Sequence, residues 1–178
     1  NLALTPGAVV HRTEVFELIQ YRPAVPTVRT RPLIILPPQI NKFYMVDLAP
    51  GRSFAEFATQ QGVQLFVISW RNPTAAQRDW NMETYMKAAQ EAIAVALEIT
   101  GADQVNMMAA CAGGFTLATL LGHLAATGDK SVASATLLVT EALNSTDARN
   151  CAAVRRTTSA LICGSSAGSA IHPSAERS

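Results

Sequence analysis

The chain has 178 residues, enough for one domain with a hydrophobic core, and 49% of them are hydrophobic while 15% are charged. Its 14 basic and 13 acidic side chains leave a net charge of +1, which gives no electrostatic basis for binding nucleic acid. No apolar run reaches the length of about 18 residues that a membrane span requires.

The amino-terminal part of the chain predicts extended segments separated by a proline-rich connector. Residues 9–20 mix β-branched and aromatic residues with polar ones, which is typical of one or two strands. Residues 22–32 contain three prolines and are predicted to form a connector. Residues 33–36 are entirely apolar and are followed by two prolines, the pattern of a buried parallel strand that ends in a loop.

A short amphipathic helix is predicted over residues 53–61. Phe54, Phe57 and Ala58 follow one another at helical spacing, so we expect these side chains to form its apolar, buried face. Gly62 comes directly after the helix and supplies the left-handed residue with which many helices end.

From residue 63 onward, strands and helices alternate. Strands are predicted over residues 63–70, 105–108 and 132–139, and helices over residues 84–100 and 115–126. The core face of the longer helix is predicted to comprise Tyr85, Ala88, Ala89, Ala92, Ile93, Ala96, Leu97 and Ile99. Alternation at this spacing predicts an α/β fold in which helices cover both faces of a parallel sheet.

The sequence changes character after residue 140. Residues 141–178 are rich in Ala, Ser, Thr and Arg and show neither a clear helical nor a clear strand period. We expect this segment to be disordered, or to result from a reading-frame shift in the coding DNA. Continuous, unshifted coding DNA beyond the Thr140 codon would contradict the second explanation. We therefore expect the sheet to be truncated before its last strands.

The stretch around Cys111 has the pattern of a nucleophile elbow, a sharp turn between a strand and a helix. In such an elbow the residues two before and two after the nucleophile must be small. Ala109 and Gly113 meet this requirement, within a turn predicted over residues 109–114. We expect Cys111 to be the nucleophile of an acyl-transfer enzyme, and the backbone N–H of Ala112 to be one half of an oxyanion hole.

The other half of the oxyanion hole is expected from the loop that follows the apolar strand at residues 33–36. We expect the backbone N–H of Ile40 to be the second donor and Asn41 to contact the substrate. Trp70 ends the strand predicted over residues 63–70, at the ligand-binding edge of such sheets. It is either a further substrate contact or a packing anchor.

Two alternatives to a Cys111 nucleophile remain open. A cysteine in such a turn also fits a small buried residue that packs a helix against a sheet. Residues 164–168 match the G-x-S-x-G pattern, with Ser166 as nucleophile. The strand pattern before Ser166 is weak and no helical pattern follows it, so we favour Cys111.

The remaining cysteines and histidines suggest no further site. An odd number of widely spaced cysteines, among them Cys151 and Cys163, predicts a reducing compartment rather than a disulfide framework. No Cys/His spacing predicts a metal site. His123 falls among leucines on a predicted helix and His172 in the unusual tail, so we interpret neither as a catalytic base.

Five stretches carry a family resemblance. They are residues 1–7 (NLALTPG), 31–44 (RPL to INKFY), 66–73 (FVISWRNP), the Cys111 elbow with its two following glycines, and 132–136 (VASAT). Together they resemble the polyhydroxyalkanoate synthases, and among these the medium-chain, class II type of pseudomonads. The resemblance implies an α/β-hydrolase-like sheet with flanking helices. Residues 1–140 would be a partial catalytic domain of this type, and residues 141–178 an atypical tail.

The resemblance also implies an activity. Synthases of this family polymerise (R)-3-hydroxyacyl-CoA into a polyester and release CoA, and their acyl-carrying cysteine matches Cys111. No cofactor is implied, because the CoA thioester is the substrate. The implied setting is the cytoplasm at the surface of polyester granules, with a homodimer expected for the full-length parent.

Some expected parts of the family's machinery have no match. The family uses an Asp and a His downstream of the nucleophile, and the resemblance ends before either; Ala109 stands where the family has glycine. The chain also opens at Asn1 without a methionine, so we expect it to be a partial sequence. Because a cysteine without its base keeps little transferase activity, we expect the chain itself to be almost inactive. Two other classes remain open: an esterase or thioesterase of the same fold, and a non-catalytic fragment that binds granules or a partner.

Overall fold

The computed structural model describes residues 2–40, 42–138 and 160–164. The strands in these ranges are β1 (Gly7–Arg12), β2 (Phe16–Tyr21), β3 (Leu33–Leu36), β4 (Asp47–Ala49), β5 (Arg52–Ser53), β6 (Leu65–Trp70), β7 (Val105–Ala110), β8 (Val132–Leu138) and β9 (Ala160–Gly164). The α-helices are α1 (Phe54–Gln60), α2 (Met82–Thr100) and α3 (Ala112–Thr127), and short 3-10 helices cover Phe43–Val46 and Ala75–Gln77. Each strand and helix that the sequence predicts up to residue 138 is present.

One sheet joins seven of the strands, in the order β1-β2-β6-β3-β7-β8-β9. Strands β6, β3, β7, β8 and β9 pair in parallel, whereas β2 runs antiparallel to both β1 and β6. The five strands from β6 to β9 form the predicted parallel sheet, and the two antiparallel strands β1 and β2 at one edge make the whole sheet mixed. Only residues 13–15 join β1 to β2, and so short a connection reverses the chain into an antiparallel neighbour.

Helices cover both faces of the sheet, which confirms the prediction from the alternating pattern. On one face, α2 and α3 pack against strand side chains such as Leu36, Phe66 and Met107. On the other face, Ala58 of α1 packs in a smaller cluster around Val67. The central strands are buried from both sides, and this is why their sequences are continuous apolar runs rather than alternating ones.

The orientation of α1 differs from the predicted one. Phe54 is 39% exposed and Phe57 is 58% exposed, whereas Ala55, Ala58 and Thr59 are buried. Of the three residues expected on the buried face, only Ala58 lies there. The small buried side chains let this short helix approach the sheet closely, and the two phenylalanines are left at its surface.

Helix α2 begins two residues earlier than predicted, at Met82, because Asn81 caps it. The Asn81 side chain accepts a hydrogen bond from the backbone N–H of Thr84 at 3.1 Å. The predicted core face holds except at its end, where Ile99 is 43% exposed, while the unpredicted Met86 is buried. Within the part of the chain that the structure describes, no helix combines the length and hydropathy needed to cross a membrane.

Strand β9 lies within residues 141–178, where the sequence offers only a weak strand pattern. Its backbone pairs in parallel with β8 and extends the sheet by one strand. The predictions for Ser166 and His172, and for a disordered or frame-shifted tail, otherwise concern residues outside the described ranges. Asn41 also lies outside them.

Candidate active site

Cys111 is the single residue between β7 and α3. The strand continues to Ala110 and the helix already begins at Ala112, so the predicted turn over residues 109–114 shrinks to one residue. The backbone of Cys111 has φ 51° and ψ −125°, a conformation that residues with a Cβ rarely adopt. Among the described non-glycine residues, only Ala3 shares a positive φ. The strand–turn–helix geometry of an elbow is therefore present, with its strain at the cysteine.

Neighbouring backbone groups hold Cys111 in this conformation. Its N–H donates to the carbonyl oxygen of Leu138, the last residue of β8, at 3.0 Å. Its own carbonyl accepts from the N–H of Gly114 at 2.9 Å, and the Cys111 side chain is exposed. A strained backbone persists only where the surrounding structure determines it, and here the sheet edge and the first helical turn do so.

The small residues on either side of Cys111 have a direct steric reason. A Cβ atom on Gly113 would collide with the carbonyl oxygen of Leu36 and would lie 2.9 Å from that of Pro37. Ala109 is fully buried and stands opposite Leu36 in the β3–β7 ladder. Larger side chains at either position would push β3 and its following loop away from the elbow.

Trp70 lies at the end of β6, beside the same loop. It is only 7% exposed, and its indole N–H donates to the carbonyl oxygen of Pro37 at 2.8 Å. Its ring meets Phe16 and Tyr85 edge-on, with ring centroids 6.3 and 5.2 Å away, and burial raises the pKa of Tyr85. The buried ring and its hydrogen bond make Trp70 a packing anchor for the loop, while a substrate contact stays a prediction.

The loop after β3 is also attached to α3. The side-chain amide of Gln39 donates to the hydroxyl of Thr116 at 2.5 Å, which attaches the loop to the second turn of the helix. Ile40, the next residue, is 85% exposed. The expected oxyanion donors, Ala112 and Ile40, therefore lie on segments that meet beside Cys111. Sequence reasoning missed the Gln39–Thr116 pair, although a polar Thr116 on a leucine-rich helix face is a signal that could have found it.

The described histidines do not lie beside the cysteine. His123 is exposed, and its twelve-residue separation from Cys111 along α3 corresponds to about 18 Å. His11 hydrogen-bonds to Glu91 at 2.8 Å, on the first strand and the long helix. Neither of these two histidines is therefore placed to act as a general base for Cys111.

Two family descriptions match the chain. "Poly-beta-hydroxybutyrate polymerase (PhaC) N-terminus" matches residues 1–58, and "alpha/beta hydrolase fold" matches residues 32–157. The second covers more than half of the chain and includes the elbow.

Curated relatives carry polymerase names. Poly(3-hydroxyalkanoate) polymerase 1 of Ectopseudomonas oleovorans is 51% identical over 139 residues, which cover 78% of this chain and 25% of that protein. The poly(3-hydroxyalkanoate) polymerase subunit PhaC of Cupriavidus necator is 44% identical over 141 residues, covering 79% of this chain and 24% of that protein. The chain thus spans about a quarter of the length of these relatives.

Solved structures share the fold at low sequence identity. An alpha-beta serine hydrolase homologue from Coxiella burnetii superposes with a TM-score of 0.55 at 12% identity, covering 81% of this chain and 67% of that one. An alpha/beta hydrolase enzyme from the metagenome of Lake Arreo, Spain, gives 0.53 at 18% identity, covering 79% of this chain and 45% of that one. The chain therefore belongs to the alpha/beta hydrolase fold family, and over 78% of its length it is similar to poly(3-hydroxyalkanoate) polymerases.

Proposed function

We propose that this chain is part of a polyhydroxyalkanoate synthase of the medium-chain, class II type, in which Cys111 carries the growing polyester. The observation that carries the proposal is the strained, exposed cysteine between a buried strand and a helix. The pseudomonad polymerase at 51% identity supports the substrate class. The alternative interpretation of Cys111, a small residue that packs a helix against the sheet, requires a buried side chain, whereas Cys111 is exposed.

The proposed reaction is thioester exchange. The sulfur of Cys111 attacks the thioester carbonyl of an (R)-3-hydroxyacyl-CoA, and the carbonyl oxygen becomes an oxyanion that the N–H groups of Ala112 and Ile40 stabilise. The bond between the carbonyl carbon and the CoA sulfur then breaks, and CoA leaves with the proton that the cysteine gave up. One thioester replaces another at little change in free energy, so the acyl group stays activated for attack by the next hydroxyl.

The proposal assigns the remaining functions as follows. Asn41 and Trp70 contact the substrate, no cofactor takes part, and the family's Asp and His lie outside the residues that match. The chain by itself would then form the acyl-enzyme but turn over slowly, because proton transfer lacks its base. The full-length parent is proposed to act as a homodimer in the cytoplasm, at the surface of polyester granules.

The experiment that tests the proposal has two stages. The 178-residue chain is first incubated with a medium-chain (R)-3-hydroxyacyl-CoA, and intact mass and free CoA are followed. We expect one acyl group on Cys111 and none in the Cys111→Ala variant; an unmodified chain would contradict a Cys111 acyl-enzyme. In the second stage, residues 1–138 of this chain replace the matching segment of the full-length Ectopseudomonas polymerase. Polymer formation that depends on Cys111 supports the synthase, whereas CoA release with only free hydroxy acid indicates an esterase or thioesterase.

A further inference from the structure

The loop over residues 37–40 is held from two sides. On the sheet side, the buried indole of Trp70 donates to the Pro37 carbonyl at 2.8 Å. On the helix side, the amide of Gln39 donates to Thr116 at 2.5 Å. Gln39 directly precedes Ile40, whose N–H is the second oxyanion donor of the proposed function. The hydrogen bond from Gln39 to Thr116 is therefore one residue away from the Ile40 N–H, whose position relative to Cys111 decides whether it can stabilise the oxyanion.

Thr116 makes an unusual bond for a threonine in a helix. Thr59, Thr100, Thr119 and Thr127 each donate to the carbonyl oxygen four residues back in their own helix, at 2.7 to 3.1 Å. This i to i−4 hydrogen bond is common for threonines within helices. The Thr116 hydroxyl instead accepts from a residue 77 positions away in the sequence.

The Thr116 hydroxyl both donates and accepts a hydrogen bond. It is completely buried, it accepts from Gln39, and it donates to the sulfur of Met82, the first residue of α2, at 3.6 Å. A buried hydroxyl is retained where it has partners, because an apolar residue would otherwise be the more stable choice on a leucine-rich helix face. The hydroxyl links three segments: the loop, α3 and the start of α2.

We infer that Gln39 is a positioning residue that acts through Thr116 to set the distance between the Ile40 N–H and Cys111. This inference rests on the proposed function and deepens it. Gly113 completes the arrangement, because its missing side chain lets the loop carbonyls lie directly on the first turn of α3. Trp70 anchors the start of the loop and Gln39 its end.

The test compares two reactions of the same thiol in the 178-residue chain. Acylation by a medium-chain 3-hydroxyacyl-CoA passes through an oxyanion, whereas alkylation by iodoacetamide is a direct displacement without one. Thr116→Val keeps the shape and removes the hydroxyl, Gln39→Met keeps the length and removes the donor, and Thr116→Ser keeps the hydroxyl as the matched control. We expect the first two to slow acylation by about 10²-fold, the scale of a misplaced catalytic group, with alkylation unchanged. Thr116→Ser should be acylated and alkylated at the rates of the unsubstituted chain.

Other outcomes overturn either the inference or the proposed function on which it rests. Acylation at the parental rate in Thr116→Val and Gln39→Met shows that the pair does not position the donor. An equal loss of both reactions shows that the elbow itself has changed. If the unsubstituted chain is not acylated at all, the proposed function fails. Amide hydrogen exchange of residues 39–44 then tests separately whether Gln39 and Thr116 hold the loop. If exchange is no faster in Thr116→Val and Gln39→Met than in the unsubstituted chain, the Gln39–Thr116 hydrogen bond does not hold the loop.

Discussion

The two long helices of this chain begin in opposite ways. The N-cap of α2 is Asn81, which is extended at φ −131° and forms a reciprocal capping box with Thr84. The N-cap of α3 is Cys111, which has φ 51° and whose side chain forms no capping hydrogen bond. Their ends are alike, since both stop at left-handed glycines, Gly101 and Gly128. The two helices therefore differ only at their amino-terminal ends.

This difference shows where each helix obtains its stability. The start of α2 is stabilised locally, by side chains that satisfy its first N–H groups. The start of α3 depends on tertiary structure: the Leu138 carbonyl holds the Cys111 backbone, and fully buried leucines hold the helix. Those leucines are Leu117, Leu120, Leu121 and Leu124. The Cys111 side chain does not cap this helix start, as the proposed role of the Ala112 N–H requires.

The largest effect is expected from Gly113→Ala. Its Cβ would meet the backbone of Leu36 and Pro37, which cannot swing aside as a side chain does. We expect the free energy of unfolding, measured by urea denaturation, to fall by about 3 kcal/mol. Gly122→Ala in the same helix is the matched control, because its Cβ would meet no atom within 4 Å. That substitution should stabilise the chain by about 1 kcal/mol through helix propensity. Equal effects at both positions would refute the steric account of the elbow.

A smaller effect of opposite sign is expected at the cysteine itself. Cys111→Gly relieves the positive φ, so we expect a gain of about 1 kcal/mol in the free energy of unfolding after the greater chain entropy of glycine is included. Cys111→Ala keeps a Cβ and should leave stability nearly unchanged. Both should abolish acylation. If the free energy of unfolding of Cys111→Gly does not exceed that of Cys111→Ala, the backbone of Cys111 is not strained. The contrast with the start of α2 would then have no basis.

The capping box of α2 offers the matching measurement at the other helix. Asn81→Ala removes the acceptor for the Thr84 N–H and should lower the free energy of unfolding by about 1 kcal/mol. Asn81→Ser keeps a capping oxygen and should recover most of this loss. Acylation of Cys111 should not change in either variant. A loss of acylation would show that the two helix starts are coupled rather than independent.

The smallest effect concerns pH. A hydrogen bond and ion pair with Lys87 lower the pKa of Glu83, in the first turn of α2, below its ordinary value of 4.5. A lowered folded pKa contributes stability above the unfolded value, and this contribution is lost as the pH falls through the folded one. The stability difference between the parent and Glu83→Gln should therefore shrink below pH 4.5 and in high salt. A difference that is constant with pH would contradict the pairing.

Local patterns predicted most of the elements but not their relative placement. The run at residues 33–36 predicts a buried strand because only a strand covered on both faces is continuously apolar. The rotation of α1 was missed, because Phe54 and Ala55 are both compatible with burial until the distance between helix and sheet is known. The pairing of β1 with β2, and the contact of Gln39 with Thr116 across 77 positions, depend on topology that no local pattern contains.

By itself, the sequence determined the alternation of strands and helices and the position of Cys111 between small residues, because periodicity and side-chain size are local properties. Tertiary structure decided that the turn is a single residue, that Gly113 must lack a Cβ, and that the loop before Ile40 is attached to α3. Each of these depends on how closely β3 and α3 approach one another. That distance results from packing the whole sheet, and no stretch of sequence specifies it alone.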